Sequence, residues 1–262
     1  MQKNYYLTRS EQRIFNTIKY ASIVDILDVK NLFPELSQQM IYKIFSDLEK
    51  KGYLYRIKKG LYLIQDIRSD KQPLIKDPFK IALNLFKGYI AFSSALRVYG
   101  LIEYQPFTIF IATHNKSQEI KIGEYTIKAV NIGEKARGIT LYNELYVSTL
   151  PKTFFDCFYK PQYSGGYETL TKALYQVKRL DWHEFLVYFN SASSSLCQRT
   201  GYILDLLKKE TGIKIPHYVI EYFKGRINVK TKLVPMLPSR GVYISKWKLI
   251  DNLGKNRILG WL

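Results

Sequence analysis

Apolar residues recur at helical spacing early in the chain and at strand spacing soon after. "TRSEQRIFNTIKYA" carries Ile14, Phe15 and Ile18 on one face, which predicts a helix with Ser10 as its cap. "SIVDI" is a short apolar stretch, and Asp28 is positioned to cap a brief helix through Leu32 and Phe33. After Pro34, Ser37 precedes "QQMIYKIFSDLEKKG". There Ile41, Phe45 and Leu48 repeat at i, i+4 and i+7, and Gly52 supplies the stop signal. "YLYRI" and "LYLI" then alternate as two strands around a turn at Lys58–Gly60. Three helices followed by a two-stranded ribbon is the order of a winged helix-turn-helix, predicted over residues 1–70.

The next stretch, "QDIRSDKQPLIKDP", is polar, contains proline and has no apolar period, so it reads as a boundary. "DPFKIALNLF" starts a helix with Asp77 as cap and Pro78 at its first position, and "SSALRVYGL" forms another that ends at Gly100. The period changes to two between about 106 and 149. "FTIFIAT", "QEIKIG", "YTIKAVNI" and "ITLYNELYVST" predict four strands. Helical spacing returns over about 150–222. The fold class expected is therefore α+β: a winged helix-turn-helix, then a larger mixed domain over 71–222 with a helical second half. A basic C-terminal segment, 223–262, packs on that second domain through Trp247 and Trp261 and includes a strand pair in "GVYISKWKLI".

Charge changes the picture. The 262 residues carry 40 Lys and Arg against 22 Asp and Glu, a formal net charge of +18, which points to a polyanionic partner. The segment from 224 onward holds nine Lys or Arg and a single acid, Asp251, so the excess is not confined to the winged helix. Two cysteines, Cys157 and Cys197, make no disulfide framework and read as small core residues of a reducing compartment. With no signal-peptide core and no apolar run of membrane length, the chain is expected in the cytoplasm, with no membrane partner.

On a winged helix, the second helix of the helix-turn-helix pair lies in the major groove of double-stranded DNA. Burial of Ile41, Phe45 and Leu48 leaves Gln38, Gln39, Tyr42 and Lys43 on the opposite face, able to read or flank bases. Arg56, Lys58 and Lys59 on the wing would meet phosphates. Lys224, Arg226, Lys230 and Lys232 form a further basic contact surface, for DNA or for an acidic protein.

Candidate chemistry is sparse. His114, His183 and His217 sit at no metal spacing, no Gly-rich phosphate loop occurs, and the Gly-Ser and Asp-x-Asp signals of a nucleotidyltransferase are absent. No cofactor, no metal and no enzymatic activity are expected. An alternative is a Mg²⁺-dependent DNA nuclease using Glu103, Glu119 and Lys121, the last two on one face of a strand. Cross-strand charge pairing explains the same Glu-x-Lys pattern. A third reading is a protein-interaction module that does not read DNA.

"LEKKGYLYRIKKGLYLI", "YIAFSSALRVYGL" and "LYVSTLPKTFFDCFYKPQYSGGYETLTKAL", in that order, resemble the AbiEi antitoxins of type IV toxin–antitoxin systems. The family's Ser-Ala-Leu–aromatic-Gly-Leu segment corresponds to Ser94, Ala95, Leu96, Tyr99, Gly100 and Leu101. A later family segment has an acid and Arg-Thr before an apolar–Asp pair, then Pro and Gly-Gly. Thr153, Asp156, Pro161, Gly165 and Gly166 match it, Lys152 stands in place of Arg, and residues 148–151 contain no acid. "RTGYILDLL" and "KWKLIDN" also fit the family's C-terminal half. The resemblance implies a transcriptional regulator that represses its own promoter at inverted repeats and counters a cognate nucleotidyltransferase-like toxin. Asp156 and the Gly165–Gly166 turn also have a plain reading as helix-capping and packing residues.

Overall fold

The computed structural model describes residues 6–65, 73–104 and 106–262. It is a mixed α/β chain in which helices and sheets are largely segregated, an α+β arrangement. The first helix, α1 (Arg9–Ile18), is capped by Thr8 rather than Ser10. The Thr8 hydroxyl accepts from Glu11 N, and the Glu11 carboxylate accepts from Thr8 N at 2.6 Å, a reciprocal box that fixes the helix start. Asp25, not Asp28, caps α2 (Ile26–Leu32), because "SIVDI" holds a strand, β1 (Ile23–Asp25), that ends one residue before the helix begins. Ser37 caps α3 (Gln38–Lys50), as its position predicts, and Gly52 beyond it has a φ of 76°.

The strands β2 (Leu54–Lys58) and β3 (Leu61–Ile64) form the expected hairpin, and β1 adds to it, giving a three-stranded sheet of order β1-β3-β2. One face of this sheet covers the core of the three helices, where Ile14, Val29, Ile41, Phe45 and Leu48 meet Leu54, Tyr62 and Ile64. The other face is covered too. Leu63 is buried in a second core with Ile81, Ile109 and Val147, and Ile23, Tyr55 and Ile57 pack against it. The N-terminal unit therefore shares an apolar seam with the mixed domain C-terminal to it. The boundary expected at 70/71 lies outside the described residues.

After α4 (Pro78–Leu85), β4 (Tyr89–Ile90) and α5 (Phe92–Val98) come β5 (Thr108–Thr113), β6 (Gln118–Ile122), β7 (Tyr125–Asn131), β8 (Ile139–Tyr142) and β9 (Leu145–Ser148). They make one six-stranded mixed sheet of order β6-β7-β5-β4-β9-β8, with β5–β7 and β4–β9 parallel. Four strands were expected here. "ITLYNELYVST" is a hairpin of two, turned at Asn143 and Glu144, both at positive φ, and β4 is only two residues long.

The rest is helical: α6 (Leu150–Tyr159), α7 (Gly166–Gln176), α8 (Trp182–Val187), α9 (Ser194–Thr211) and α10 (His217–Lys224). Strands β10 (Thr231–Lys232), β11 (Val242–Ile244) and β12 (Leu249–Asp251) form a small sheet, followed by α11 (Lys255–Ile258). Trp247, Leu249 and Ile258 from this last segment share a core with Phe154, Phe185, Phe189 and Phe223. Cys157 and Cys197 are free thiols in the same core. Among the described residues no helix is long and apolar enough to cross a membrane.

Candidate nucleic-acid interface

The candidate face begins at the N-terminus of α3. Ser37 Oγ accepts from Met40 N at 3.2 Å, which satisfies an otherwise unpaired amide and sets the first turn. Ile41, Ile44, Phe45 and Leu48 turn inward. By helical geometry Gln38, Gln39, Tyr42 and Lys43 then turn outward, and all four are exposed. Gln38 Nε2 donates to the Tyr42 hydroxyl at 3.4 Å, a loose contact one turn apart that a stronger acceptor could displace.

The hairpin stands beside this helix. Tyr62, on the inner face of β3, packs edge-on against Phe45 of α3 with ring centroids 5.0 Å apart. Arg56 is the register partner of Tyr62, so it lies on the same face of the sheet, toward α3. Burial raises the Tyr62 phenol above its usual value; Arg56 opposes this, and Glu49 and Tyr42 reinforce it. A register shift between Arg56 and Lys58 marks a bulge, so alternation fixes the side of Arg56 only. Lys58 and Lys59 sit exposed at the tip, and Gly60 closes the turn at a φ of 80°. The Gly60 carbonyl accepts from Ile26 N at 2.8 Å, tying the tip to the start of α2.

None of Lys43, Arg56, Lys58 and Lys59 is ion-paired among the described residues. Cations at the other end of α3 differ: Lys51 bonds the buried Glu11 at 2.7 Å, and Lys50 reaches Asp47 at 3.5 Å. The Lys51 contact and the Thr8 hydrogen bonds hold the Glu11 carboxyl below its ordinary value against the opposing effect of burial, which is the largest single influence. Lys43, Arg56, Lys58 and Lys59 thus keep positive charge that no described carboxylate compensates, as do Arg9, Lys19 and Lys30 elsewhere on the unit.

The four C-terminal basic residues are arranged differently. Lys224 pairs with Glu221 at 2.8 Å, and Arg226 stacks 3.6 Å from the Tyr222 ring centroid. Lys232 Nζ donates to Leu237 O at 2.8 Å. Of the four, Lys230 is the exposed one without an ion pair or hydrogen bond among the described residues, lying 5.1 Å over the Tyr243 ring. The cluster is mostly engaged in holding its own segment together. Of the nuclease residues, Glu119 pairs across strands with Lys128 at 2.9 Å and Glu103 with Lys172 at 3.9 Å, while Lys121 is exposed on edge strand β6. Among the described residues no group of three or more His, Cys, Asp or Glu could hold a metal ion.

Two arrangements were not foreseen from the sequence. Lys152 and Asp156, one turn apart on α6, form a fully buried ion pair. Arg199 on α9 is half-buried with no carboxylate partner among the described residues. The i, i+4 spacing of the first pair was visible, but on a helix it marks solvent-facing pairs as readily as buried ones.

No protein-family model and no curated protein sequence matches the chain. Its structure is similar to the crystal structure of the RV2827C protein from Mycobacterium tuberculosis, with a TM-score of 0.67 at 14% sequence identity, covering 95% of this chain and 94% of that one. At that identity the likeness is one of fold.

Proposed function

We propose that the chain is a sequence-selective DNA-binding regulator whose N-terminal unit is a winged helix-turn-helix. In this reading α3 enters the major groove, with Gln38, Gln39, Tyr42 and Lys43 reading or flanking bases, and the β2–β3 hairpin lies on the neighbouring backbone through Arg56, Lys58 and Lys59. The observation that carries it is that Arg56 lies on the face of the hairpin turned toward α3, where Tyr62 packs on Phe45, and that Lys43, Arg56, Lys58 and Lys59 have no ion pair among the described residues.

The resemblance to AbiEi antitoxins extends this to a role: repression of the chain's own promoter at inverted repeats, and antagonism of a nucleotidyltransferase-like toxin. Selection of bound sequences from a random pool tests base reading. Wild type should enrich one half-site, and Gln38→Ala with Gln39→Ala should change the enriched bases. An unchanged preference would remove both glutamines from the reading role. Growth rescue on co-expression with a nucleotidyltransferase-like protein encoded beside this gene tests the antitoxin role, and absence of rescue would argue against it.

A further inference from the structure

Between the start of α7, the start of α9 and residues 233–236 lies an open cleft of about 1030 Å³. Its accessible apolar lining comes from Tyr159, Val234, Pro235, Met236 and Leu253, backed by the buried Phe158, Leu196 and Leu233. Two cations, Lys135 and Arg199, line it, and no described Asp or Glu does. Ligand sites are typically clefts of roughly 300–1,000 Å³ with an apolar lining and a few fixed polar groups, and this one is at the upper end of that range.

Arg199 is the unusual member. Its Nε donates to Lys232 O at 2.8 Å and its Nη2 to Thr231 Oγ1 at 3.2 Å, so the guanidinium is held in place by two neutral acceptors. No carboxylate pairs with it among the described residues, and its Nη1 has no hydrogen-bond partner there. A guanidinium drawn out of water without an anion is unfavourable, and burial accordingly pulls its pKa below the usual value. The segment that follows Lys232 is also held by hydrogen bonds. Asn252 accepts from Val234 N at 2.9 Å and donates to Val234 O at 2.9 Å and Pro238 O at 2.9 Å, which fixes the segment carrying Leu233 and Met236. An apolar-lined cleft with a hydrogen-bonded cation among its lining residues and no acidic lining residue is complementary to a ligand that brings both an apolar body and a negative charge.

We propose that this cleft binds an organic anion with an apolar body, its carboxylate, sulfonate or phosphate accepting hydrogen bonds from Arg199 and its body lying on Tyr159, Met236 and Leu253. Lys135 contributes a second positive charge at the cleft wall. The inference does not depend on DNA binding by the N-terminal unit.

The test uses the full chain with two fluorescent probes: 8-anilinonaphthalene-1-sulfonate, which is anionic, and N-phenyl-1-naphthylamine, which has the same body without the charge. Wild type should bind the sulfonate saturably at one site. Arg199→Gln should weaken that binding roughly tenfold or more, the worth of a charge-assisted hydrogen bond, while binding the neutral probe as wild type does. The neutral probe also reports whether the cleft survives in that variant. Ser191→Trp, at an exposed lining position, should obstruct the cleft and weaken both probes. Sulfonate binding that is non-saturable, or as tight in Arg199→Gln as in wild type, would overturn the proposal. So would indifference of both probes to Ser191→Trp.

Discussion

Lys152 and Asp156 illustrate how much a single pair of side chains settles. Asp156 Oδ1 accepts from Lys152 Nζ, Oδ2 has no hydrogen-bond partner among the described residues, and the ammonium lies 5.1 Å from the Phe155 ring centroid and 5.6 Å from that of Tyr188. Lys152 stands where the resembled family has Arg, and Asp156 matches that family's motif with a plain reading as a capping or packing residue; here Thr149 caps α6, and the pair joins one turn of the helix to itself inside the core. Removing one partner should cost far more than removing both. Asp156→Asn is expected to destabilise the fold by about 3–5 kcal/mol in urea denaturation, and Lys152→Met with Asp156→Leu by much less. A pH dependence arises as well. Burial raises the folded Asp156 carboxyl to about 6, against the opposing pull of Lys152, from an ordinary value of 3.8. Between those values the folded chain holds the extra proton, so this group's contribution makes stability fall as pH rises through that window. Urea titrations at pH 4 and pH 6 should show a more negative stability change in wild type than in Asp156→Asn; equal changes would mean the carboxyl does not titrate there.

At the level of elements, the β2–β3 hairpin is clamped from both sides. Phe45 and Tyr62 hold its inner face to α3, while Leu63 is buried with Ile81 and Ile109 beneath it. Leu63→Ala should cost about 2–5 kcal/mol, and it should lower the global melting temperature rather than merely loosen the tip, because the residue is shared between units. A local effect without a change in melting temperature would show that the seam is not cooperative. The helices were largely legible: Ser37 before α3, Asp77 and Pro78 before α4, and Gly52 and Gly100 after α3 and α5 all act where their chemistry predicts. The misses were short or weakly marked. The strands β1 and β4 have three and two residues, too few to show an alternation. The β8–β9 turn is Asn143–Glu144, and a glutamate at positive φ is not the Asn-Gly signal that would have split the run. Two-sided burial of β3 could not be read either, since "LYLI" looks the same whether one face or both are covered.

Across the whole molecule, a formal charge of +18 is only a statement that some polyanion is favoured; position decides which part of the surface matters. The C-terminal basic residues looked as strong as those of the wing when counted along the chain. Their long-range partners, among them the Glu210 carboxylate for Lys255 and Asp205 for Lys246 at 2.6 Å, come from a different stretch and are invisible to such a count. The candidate face was therefore readable for α3, where helical periodicity alone separates Gln38, Tyr42 and Lys43 from the core, and unreadable for the Arg199 cleft, which five separate segments build. The measurement that bears most directly on the central claim is a binding titration of the full chain on its own upstream DNA and on random DNA of equal length, repeated over a range of salt. Tighter binding to the upstream DNA and a steep loss of affinity with salt are expected. Lys58→Ala with Lys59→Ala should weaken both complexes and flatten the log–log slope by roughly one unit for each phosphate no longer neutralised. Equal, weak binding to both DNAs, with a slope unaffected by the double substitution, would contradict that claim.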